Sequence, residues 1–435
     1  MQRRVVLAAL TVILAVSASG ARRRAVHPPG LDRDLDTVGW LRATAAPFDT
    51  TKARSGLDDL NVLSTIVDNA RIVSLGEATH GSSEFFTMKH RILEYLVERK
   101  GFTVFAIEAN LPEADAVDDY VVNGRGNAAA ALTGMYFWTW DTAEVLDMIE
   151  WMREYNLRRG NRPPLRFRGF DAQFMHGGIA LIDAYVRRID RDRATSFNAL
   201  YDCMRGYNQP DRYGALPAET RNACAAKVAL AFTTLQSRRA EYAERSGAEE
   251  YEKHLRYART IVQAEAIWSR RADRDELMAE NVEWLADVAH PGEKLVLWAH
   301  NGHVSAESPF RMGSFLRTRF GSDMVIFGFD FDRGAFTSNG PTGLGTWSIN
   351  EGPLEGWEEY FREAHQPRFF LDLRNVWSRP AADYVHLPQR MWSIGSVWDP
   401  TNVGGRHRFN VAVANAYDVI IYIEVVTASR LNRGR

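Results

Sequence analysis

Short apolar runs recur along the chain, and stretches with a helical spacing of apolar residues separate them. Runs of this length without alternation are typical of strands that are buried on both faces of a parallel sheet. They lie at 71–77, 102–108, 165–171, 294–300 and 324–330, and two further candidates lie at 369–374 and 417–426. The pattern therefore predicts a central, mainly parallel sheet.

The stretch 83–100 shows the helical pattern most clearly. It carries an apolar residue at every third or fourth position and is followed by Gly101, a residue that commonly ends helices. A second helical pattern begins after Asp141, which we predict to be its N-terminal cap. Helices that alternate with strands in this way indicate an α/β fold in which helices flank the sheet.

The segment 176–290 differs from the rest of the chain. It is rich in Ala, Arg and Glu, and contains three long helical patterns but no convincing strand. We interpret it as a long all-helical insertion acting as a lid, between the two parts of an α/β catalytic core at 22–175 and 291–435. The Gly-rich stretch 338–348 lacks the Gly-Lys-Ser/Thr of a phosphate loop and is predicted to be a mobile surface loop.

Residues 1–21 have the pattern of a secretory signal peptide. Arg3 and Arg4 precede an apolar run that is too short to span a bilayer, and small residues that suit cleavage follow. The chain is thus predicted to be exported, periplasmic or extracellular, with no stable membrane span after cleavage. In an exported protein, Cys203 and Cys224, which are the only cysteines, are expected to form a structural disulfide.

Composition narrows the class of partner. With 435 residues and 46% hydrophobic content, the chain can bury a large core. A formal charge of −2 gives no basic surface of the kind that binds nucleic acid. The expected partner is a small molecule, and the sequence carries no signal for the oligomeric state.

Ionisable residues end several of the predicted strands. They are Glu77, Glu108, Asp171 and His300, with Asp330 as a fifth. In an open α/β sheet, ligands bind outside the carboxyl ends of the strands. We therefore expect these side chains to converge on one crevice, although any single carboxylate could instead cap a helix or form a structural pair.

Three histidines add chemistry to this crevice. His80 follows Glu77 by three residues in a turn between two glycines, and His300 and His303 follow another strand. Such a set can supply a general base, a general acid and an orienting carboxylate, with no cofactor. The same side chains could equally hold a divalent metal such as zinc, through Glu77, Glu108, His300 and His303.

Five motifs in this order resemble the erythromycin esterase family. They are "LGEATHGSSEFF", "VFAIEAN", "YNLRRGNRPPLRFRGFDAQ", "RDELMAENVEWL" and "LWAHNGHV", and the similarity extends over about residues 35–430. The resemblance implies hydrolysis of an ester, which in the best-known members is the lactone of a macrolide antibiotic, and hence a link to antibiotic resistance. It also implies that a histidine activates water and that no serine acts as nucleophile.

The resemblance assigns catalytic residues by position. It places the histidine of the turn at His80 and the glutamate at Glu77. The glutamate closing the next strand falls at Glu108, and the paired histidines at His300 and His303.

Candidate substrate-binding residues follow from the motifs and from the residues between them. A basic residue on the helix after the turn falls at Lys89, and Arg274 in the helical insertion is a further candidate. Trp138, Trp140 and Asp171 complete the set, although the tryptophans could serve only in packing and Lys89 could be a surface charge.

The chain has neither a Gly-x-Ser-x-Gly elbow nor a His-Glu-x-x-His helix, which disfavours a serine hydrolase and a zincin. We expect His80 to be the base, held in orientation by Glu77 or Glu108. His303 or His300 would stabilise the oxyanion or protonate the leaving alkoxide. Two alternatives are a metal-dependent hydrolase that uses the same cluster and an exported metal- or ligand-binding protein without turnover.

Overall fold

The computed structural model describes residues 35–432 apart from 208, 375, 377 and 378. The signal peptide predicted at 1–21 lies outside this part of the chain. Within the described part, no helix combines the length and the apolar character that crossing a membrane requires.

A large mixed sheet forms the centre of the molecule. The strands are β1 (Ala46–Pro47), β2 (Ile72–Leu75), β3 (Val104–Asn110), β4 (Arg166–Asp171), β5 (Leu295–Trp298), β6 (Met324–Gly340), β7 (Gly343–Ile349), β8 (Arg368–Asp372), β9 (Gln389–Trp392), β10 (Arg408–Val411) and β11 (Val419–Val426). Their order in the sheet is β1-β8-β11-β6-β2-β5-β3-β4, with β7 paired to β6, while β9 and β10 form a separate hairpin. All pairings from β11 to β4 are parallel.

Helices cover both faces of this sheet. They are α1 (Leu35–Thr44), α2 (Leu63–Val67), α3 (Ser83–Lys100), α4 (Asp115–Asn123), α5 (Ala128–Thr133), α6 (Ala143–Arg158), α7 (His176–Ile189), α8 (Arg191–Asn198), α9 (Asp202–Arg205), α10 (Pro210–Gly214), α11 (Ala218–Ser237), α12 (Arg239–Ser246), α13 (Ala248–Trp268), α14 (Arg274–Trp284), α15 (Asn301–Val304), α16 (Met312–Phe320), α17 (Trp357–Glu363), α18 (Arg379–Val385), α19 (Val403–Arg406) and α20 (Val413–Ala416). The predicted α/β fold with a central, mainly parallel sheet flanked by helices is confirmed.

Each face of the sheet carries its own apolar core. Phe105 and Ile107 of β3 belong to one cluster, and Val104 and Ala106 belong to the other. Successive side chains of a strand point to opposite faces, so a strand that is covered on both sides must be apolar at every position. This explains why the strands appear in the sequence as continuous apolar runs.

Helix α3 begins and ends where its sequence pattern predicts. The hydroxyl of Ser82 accepts a hydrogen bond from the backbone N–H of Phe85 at 3.3 Å, and Gly101 takes a left-handed φ of 73° directly after the last turn. The predicted cap of α6 is wrong: Thr142, and not Asp141, accepts the N–H of Val145, at 3.3 Å. Both residue types cap well, and the chain enters the helix one residue later than expected.

The Gly-rich stretch at 338–348 is not a loop. It forms most of the hairpin between β6 and β7, in which Phe336 pairs with Trp347 and Gly343 has a φ of 96°. Gly340 is required by close packing, because a Cβ at this position would overlap the indole of Trp347. The glycines therefore allow a tight hairpin. Their high number in the sequence had instead suggested a mobile loop.

The run at 369–374 forms β8, but β8 is antiparallel to β11, in contrast to the parallel arrangement predicted. A strand that is buried on both faces shows the same apolar run in either direction, so the pattern carries no information on orientation.

Between β4 and β5, the described residues contain helices and no strand. Helices α7 to α13 contribute to a third apolar cluster, which includes Tyr201, Tyr213 and Tyr242. The expected disulfide joins Cys203 to Cys224 and links α9 to α11. The division into domains and the action of the insertion as a lid stay predictions.

Candidate active site

The site lies at the carboxyl ends of four neighbouring strands. Glu77 follows β2, Glu108 lies in β3, Asp171 ends β4 and His300 follows β5. Because β2, β5, β3 and β4 are adjacent and parallel, residues that are far apart in sequence lie at one edge of the sheet.

Asp330 does not join this group. Strand β6 continues beyond it to Gly340, and its neighbour Phe329 is the residue that faces the site, with its ring centroid 5.2 Å from Lys89 Nζ. Asp330 has no exposed surface, and burial together with the nearby carboxylate of Glu358 raises its pKa well above the usual value. The strand alternation thus places this carboxyl on the opposite face of the sheet.

The turn that carries His80 is shaped by close packing at its two glycines. A Cβ at Gly76 would overlap the side-chain oxygen of Asn301, and a Cβ at Gly81 would overlap the carbonyl oxygen of Thr337. Neither glycine has a positive φ. Glycine is therefore needed here so that the turn can lie directly against α15 and β6, and not for a left-handed backbone.

A C-terminal segment, residues 427–432, holds the same turn from the other side. The backbone N–H of Ser429 donates to the carbonyl of Gly81 at 2.8 Å. The N–H of Thr427 donates to the carboxylate of Glu84 at 2.6 Å, and that of Arg430 donates to Glu144 at 3.2 Å. The turn is consequently fixed by contacts on both sides.

Glu77 fixes the orientation of the His80 ring. His80 Nδ1 lies 2.5 Å from Glu77 Oε1, while Trp298 Nε1 donates to Oε2 at 2.7 Å and Lys89 Nζ also donates to Oε2. A carboxylate that accepts from three donors keeps the ring proton on Nδ1, which leaves Nε2 as the basic nitrogen. Glu77 is fully buried, whereas the His80 side chain retains 11% of its exposure.

Lys89 is buried beneath Glu77 and cannot reach a substrate in this conformation. Its Nζ lies 4.2 Å from the Trp298 ring centroid, and its side chain has no exposed surface. Burial lowers its pKa from 10.5 to about 8, against the opposing effect of the Glu77 carboxylate. Lys89 therefore contacts Glu77 and has no exposed surface for the substrate contact predicted for it.

We expect the protonation of Lys89 to limit activity at alkaline pH. Above about pH 8, loss of its charge removes the cation that holds Glu77, and turnover should fall. The cost of burying the charged amine is fully present below that pH and is relieved towards pH 10.5, so this group makes stability rise over the same interval. A pH–rate profile and urea unfolding at each pH measure the two trends.

The Lys89→Arg variant stays charged and should lose this alkaline limb of the profile. Exposed Lys52 offers the matched control, since Lys52→Arg should leave the profile unchanged. An identical alkaline limb in the wild type and in Lys89→Arg contradicts the role of Lys89.

Arg274, from the helical insertion, holds two strand-end carboxylates. It donates to both oxygens of Asp171, at 3.1 and 2.7 Å, and to Glu108 Oε1 at 2.6 Å. Burial alone would lower the pKa of Arg274, but Asp171 and Glu108 raise it above its usual range. Asp171 is fully buried, so the structure makes it a partner of Arg274 and gives it no direct contact with a substrate.

Glu108 is ionised and fully paired. Its Oε2 accepts the backbone N–H of His300 at 2.9 Å, and its Oε1 lies 3.4 Å from His303 Nε2. Burial would raise its pKa, yet His303 and Arg274 lower it well below the usual range. Of the two carboxylates proposed to orient His80, Glu77 is the one that contacts its ring. Glu108 instead contacts Arg274, His303 and the backbone N–H of His300.

His300 presents a neutral imidazole beside His80. The N–H of Gly302 donates to His300 Nδ1 at 3.1 Å, which places the ring proton on Nε2. Within the described residues Nε2 has no hydrogen-bond partner, and the two ring centroids lie 5.0 Å apart. Burial, and then the neighbouring His80 and His303, lower the pKa of His300 well below 6.5. His300 Nε2 is therefore a buried donor beside His80, and the backbone of Ala78 is a hydrogen-bonding group close to the same ring.

Two partners in the site escape sequence reasoning. Asp275 Oδ1 lies 2.8 Å from His303 Nδ1 and also accepts the N–H of Met312 at 2.9 Å. Trp298 is the indole that donates to Glu77. Asp275 lies next to Arg274 in one motif, which is a signal that could have identified it, while Trp298 is concealed within an apolar strand.

The two candidate tryptophans differ. Trp140 is 1% exposed, lies edge-on to His80 with ring centroids 5.7 Å apart, and donates its indole N–H to the backbone carbonyl of Glu108 at 3.0 Å. Trp138 is half-buried and takes no part in the hydrogen bonds that the structure describes at the site. Trp140 thus forms part of the wall behind His80.

The four candidate metal ligands do not form a free donor set. Glu77 and Glu108 use both oxygens in the hydrogen bonds above, and His303 uses both ring nitrogens with Arg274 and Asp275. Of the described residues, no group of three or more His, Cys, Asp or Glu is placed to hold a metal ion. As arranged, this site fits proton transfer better than metal coordination.

Comparison with known sequences identifies relatives over most of the chain. The family model described as erythromycin esterase matches residues 97–426. The Bacillus subtilis protein YbfO, named as a hydrolase, is 22% identical over 98% of this chain and 98% of its own length. The Escherichia coli erythromycin esterase type II is 22% identical over 66% of this chain and 75% of its own length.

The fold has a close counterpart among solved structures. A Bacillus cereus protein superposes with a TM-score of 0.82 at 25% sequence identity, and the match covers 93% of this chain and 100% of the Bacillus cereus chain.

Proposed function

This chain belongs to the erythromycin esterase family, and its relatives support a hydrolase. We propose that it cleaves an ester or lactone with water that is activated by His80. The observation that carries the proposal is the buried Glu77–His80 pair, 2.5 Å apart, beside the buried N–H donor of His300. Together they offer a base for water and a donor for the oxygen that becomes negative.

In the first step, His80 Nε2 takes a proton from water while the water oxygen bonds to the ester carbonyl carbon. The Glu77 carboxylate stabilises the resulting imidazolium, as a carboxylate does for a triad histidine. The carbonyl oxygen takes up the negative charge, and His300 Nε2–H donates to it. Because Nε2 makes no hydrogen bond of standard geometry with the described residues, the new contact gives up little existing hydrogen bonding.

In the second step, the bond between the carbonyl carbon and the alkoxy oxygen breaks. The alkoxide takes the proton back from His80, so a carboxylic acid and an alcohol leave and His80 returns to its starting state. His303 serves this step indirectly, since it keeps the guanidinium of Arg274 in place at 3.1 Å. Arg274 in turn holds Glu108, whose second oxygen fixes the backbone of His300.

Asp275→Asn tests the role of His303 in this arrangement. The amide oxygen can still accept from the N–H of Met312 and from His303 Nδ1, but the negative charge that steadies the His303 ring is lost. We expect kcat to fall about 10–100-fold with a smaller change in KM, well short of the ~10⁴ lost when the tautomer of a catalytic base is wrong. The measurement is steady-state kinetics on the best ester.

The neighbouring exposed residue gives the control for this variant. Glu276→Gln changes the same charge on the same helix at a position that faces solvent, and should leave kcat unchanged. Equal kcat for Asp275→Asn and Glu276→Gln contradicts the coupling of Asp275 to catalysis.

We further propose that the enzyme is exported and acts on a macrolide or a similar large lactone. The disulfide between Cys203 and Cys224 suits an oxidising compartment, and the sequence pattern at 1–21 suits a signal peptide. The family and the named activity of the Escherichia coli relative support this choice of substrate class.

Mass spectrometry of macrolides and simple esters incubated with the mature protein tests the function. We expect at least one substrate to gain the mass of one water in the presence of the wild type. Elemental analysis, with assays before and after chelation, separates the metal-independent route from the metal-dependent alternative. If no ester or lactone in the set reacts, a binding protein without turnover replaces this proposal.

A further inference from the structure

A cavity lies apart from the proposed catalytic centre, between the helical insertion and the segment that follows β3. Its volume is about 890 Å³, within the range of about 300–1,000 Å³ that small-molecule sites occupy. Pro112 and Glu113 line one side, Leu181 of α7 and the turn 246–250 line the other, and Tyr136 lines the cavity as well. None of the catalytic side chains described above lines it.

The basic side chains of this cavity are already paired with carboxylates. The pairs are Arg166 and Arg168 with Asp118, at 2.6 Å each, Lys253 with Asp115 at 3.1 Å, and Arg125 with Asp119 at 3.5 Å. An anionic ligand would have to compete with these carboxylates, so the cavity disfavours one.

Glu113 carries a buried carboxyl group that accepts from its own backbone N–H and from that of Gly177, while one of its oxygens has no partner among the described residues. Its Oε1 accepts the backbone N–H of Gly177 at 3.1 Å, but its Oε2 has no hydrogen-bond partner within the described part of the chain. The residue is only 7% exposed. A buried polar atom without a partner is uncommon in a native protein and calls for an explanation such as a ligand.

Tyr136 supplies an aromatic face in a costly conformation. Its φ is 67°, a left-handed value that bulky residues rarely adopt, and 60% of its surface is exposed. Its ring contacts Phe174 edge-on, with centroids 6.4 Å apart. Strained backbone at an exposed aromatic residue is typical of functional sites.

We propose that this cavity is a second ligand site and that it binds an organic ammonium ion. The ammonium group pairs with the free oxygen of Glu113, and the alkyl groups next to it pack on the ring of Tyr136. A carboxylate and an aromatic face are the two groups by which proteins recognise such cations. The cavity shares no lining residue with the catalytic centre, so its test does not require the proposed hydrolysis to be correct.

Calorimetric titration of the full chain with hexylammonium, and with hexan-1-ol as the neutral control, tests the site. We expect saturable binding of the amine with one site per chain and no comparable binding of the alcohol. Glu113→Gln keeps an oxygen for the Gly177 N–H but loses the charge, and should weaken amine binding at least tenfold. His80→Ala should bind the amine as the wild type does.

Tyr136 gives a second test that does not depend on a buried residue. Tyr136→Ala, at an exposed position, should weaken amine binding, whereas Tyr136→Phe keeps the ring and should retain it. The proposal is overturned if hexylammonium does not bind, if hexan-1-ol binds equally well, or if Glu113→Gln and Tyr136→Ala bind it with wild-type affinity.

Protonation gives an independent readout of the same contact. Burial raises the pKa of Glu113 to about 7, with a contribution from the Asp171 carboxylate, so a docking cation should expel its proton near neutral pH. Of the charged groups that share this cavity, Asp115, Lys253 and Arg168 are held in ion pairs, whereas Glu249 takes part in none of the ion pairs among the described residues. Titrations in buffers of different ionisation enthalpy should show proton release in the wild type and none in Glu113→Gln.

Discussion

The His80→Ala variant is expected to lose hydrolysis of every ester that the wild type cleaves, while it folds normally. Lys89 and Trp298 donate to Glu77, and Glu77 in turn contacts the His80 ring, which is the only partly exposed member of these four side chains. His80 is also the base in the proposed mechanism. General-base catalysis alone contributes about 10²–10⁴-fold, so the residual rate should fall by at least that factor. Glu77 keeps two of its donors in the variant, and the turn keeps its backbone contacts.

Steady-state kinetics and far-ultraviolet circular dichroism are measured together on this variant. His386→Ala is the matched control, because His386 is exposed and contacts only the side chain of Asn415 among the described hydrogen bonds. A folded His80→Ala protein with normal turnover shows that another group activates water.

Among the variants proposed for the active site, Arg274→Met is expected to lose the most stability. It leaves the carboxylates of Asp171 and Glu108 buried without their cation, and breaking a buried ion pair in this way costs about 3–5 kcal/mol. The fall should appear in the free energy of unfolding from urea titration, and turnover should be lost with it. Arg42→Met removes an exposed pair with Glu363, whose side chain is 51% exposed, and should cost less than about 1 kcal/mol.

Acidification gives the same ion pair a distinct signature. The pKa of Glu108 is lower in the folded protein than its ordinary value of 4.5, so the stabilisation is present above that pH and is lost as the pH falls further. The wild type should therefore lose stability on acidification more steeply than Arg274→Met. Equal stability of the two proteins at neutral pH contradicts the role of Arg274 as the central cation.

Much of the fold is readable in the sequence because burial on both faces leaves a strong apolar signal. Helix α3 is predicted to the residue, since both of its ends are marked by the local chemistry of Ser82 and Gly101. The direction of β8 and the hairpin of β6 and β7 are not predictable in this way. Both depend on which segments meet in space, and local residue patterns carry little of that information.

The candidate site likewise has features that the sequence predicts and features that only the structure shows. The convergence of Glu77, Glu108 and His300 follows from the rule that parallel strands end at one edge. Side-chain packing across the sheet decides which carboxylate orients His80. It also decides that Lys89 is buried below Glu77, and neither feature can be predicted from local sequence patterns. Asp330 shows the limit of the rule, because a strand end judged from the sequence was the middle of a longer strand.

The contact between the turn of His80 and the segment 427–432 links catalysis to the order of synthesis. His80 is synthesised long before Ser429, whose N–H donates to the carbonyl of Gly81. A chain without residues 427–432 therefore keeps the contacts of this turn with α15 and β6 but loses those on the other side. We expect such a chain to hydrolyse esters more slowly than the wild type, because the turn that carries the proposed base is then held from one side only.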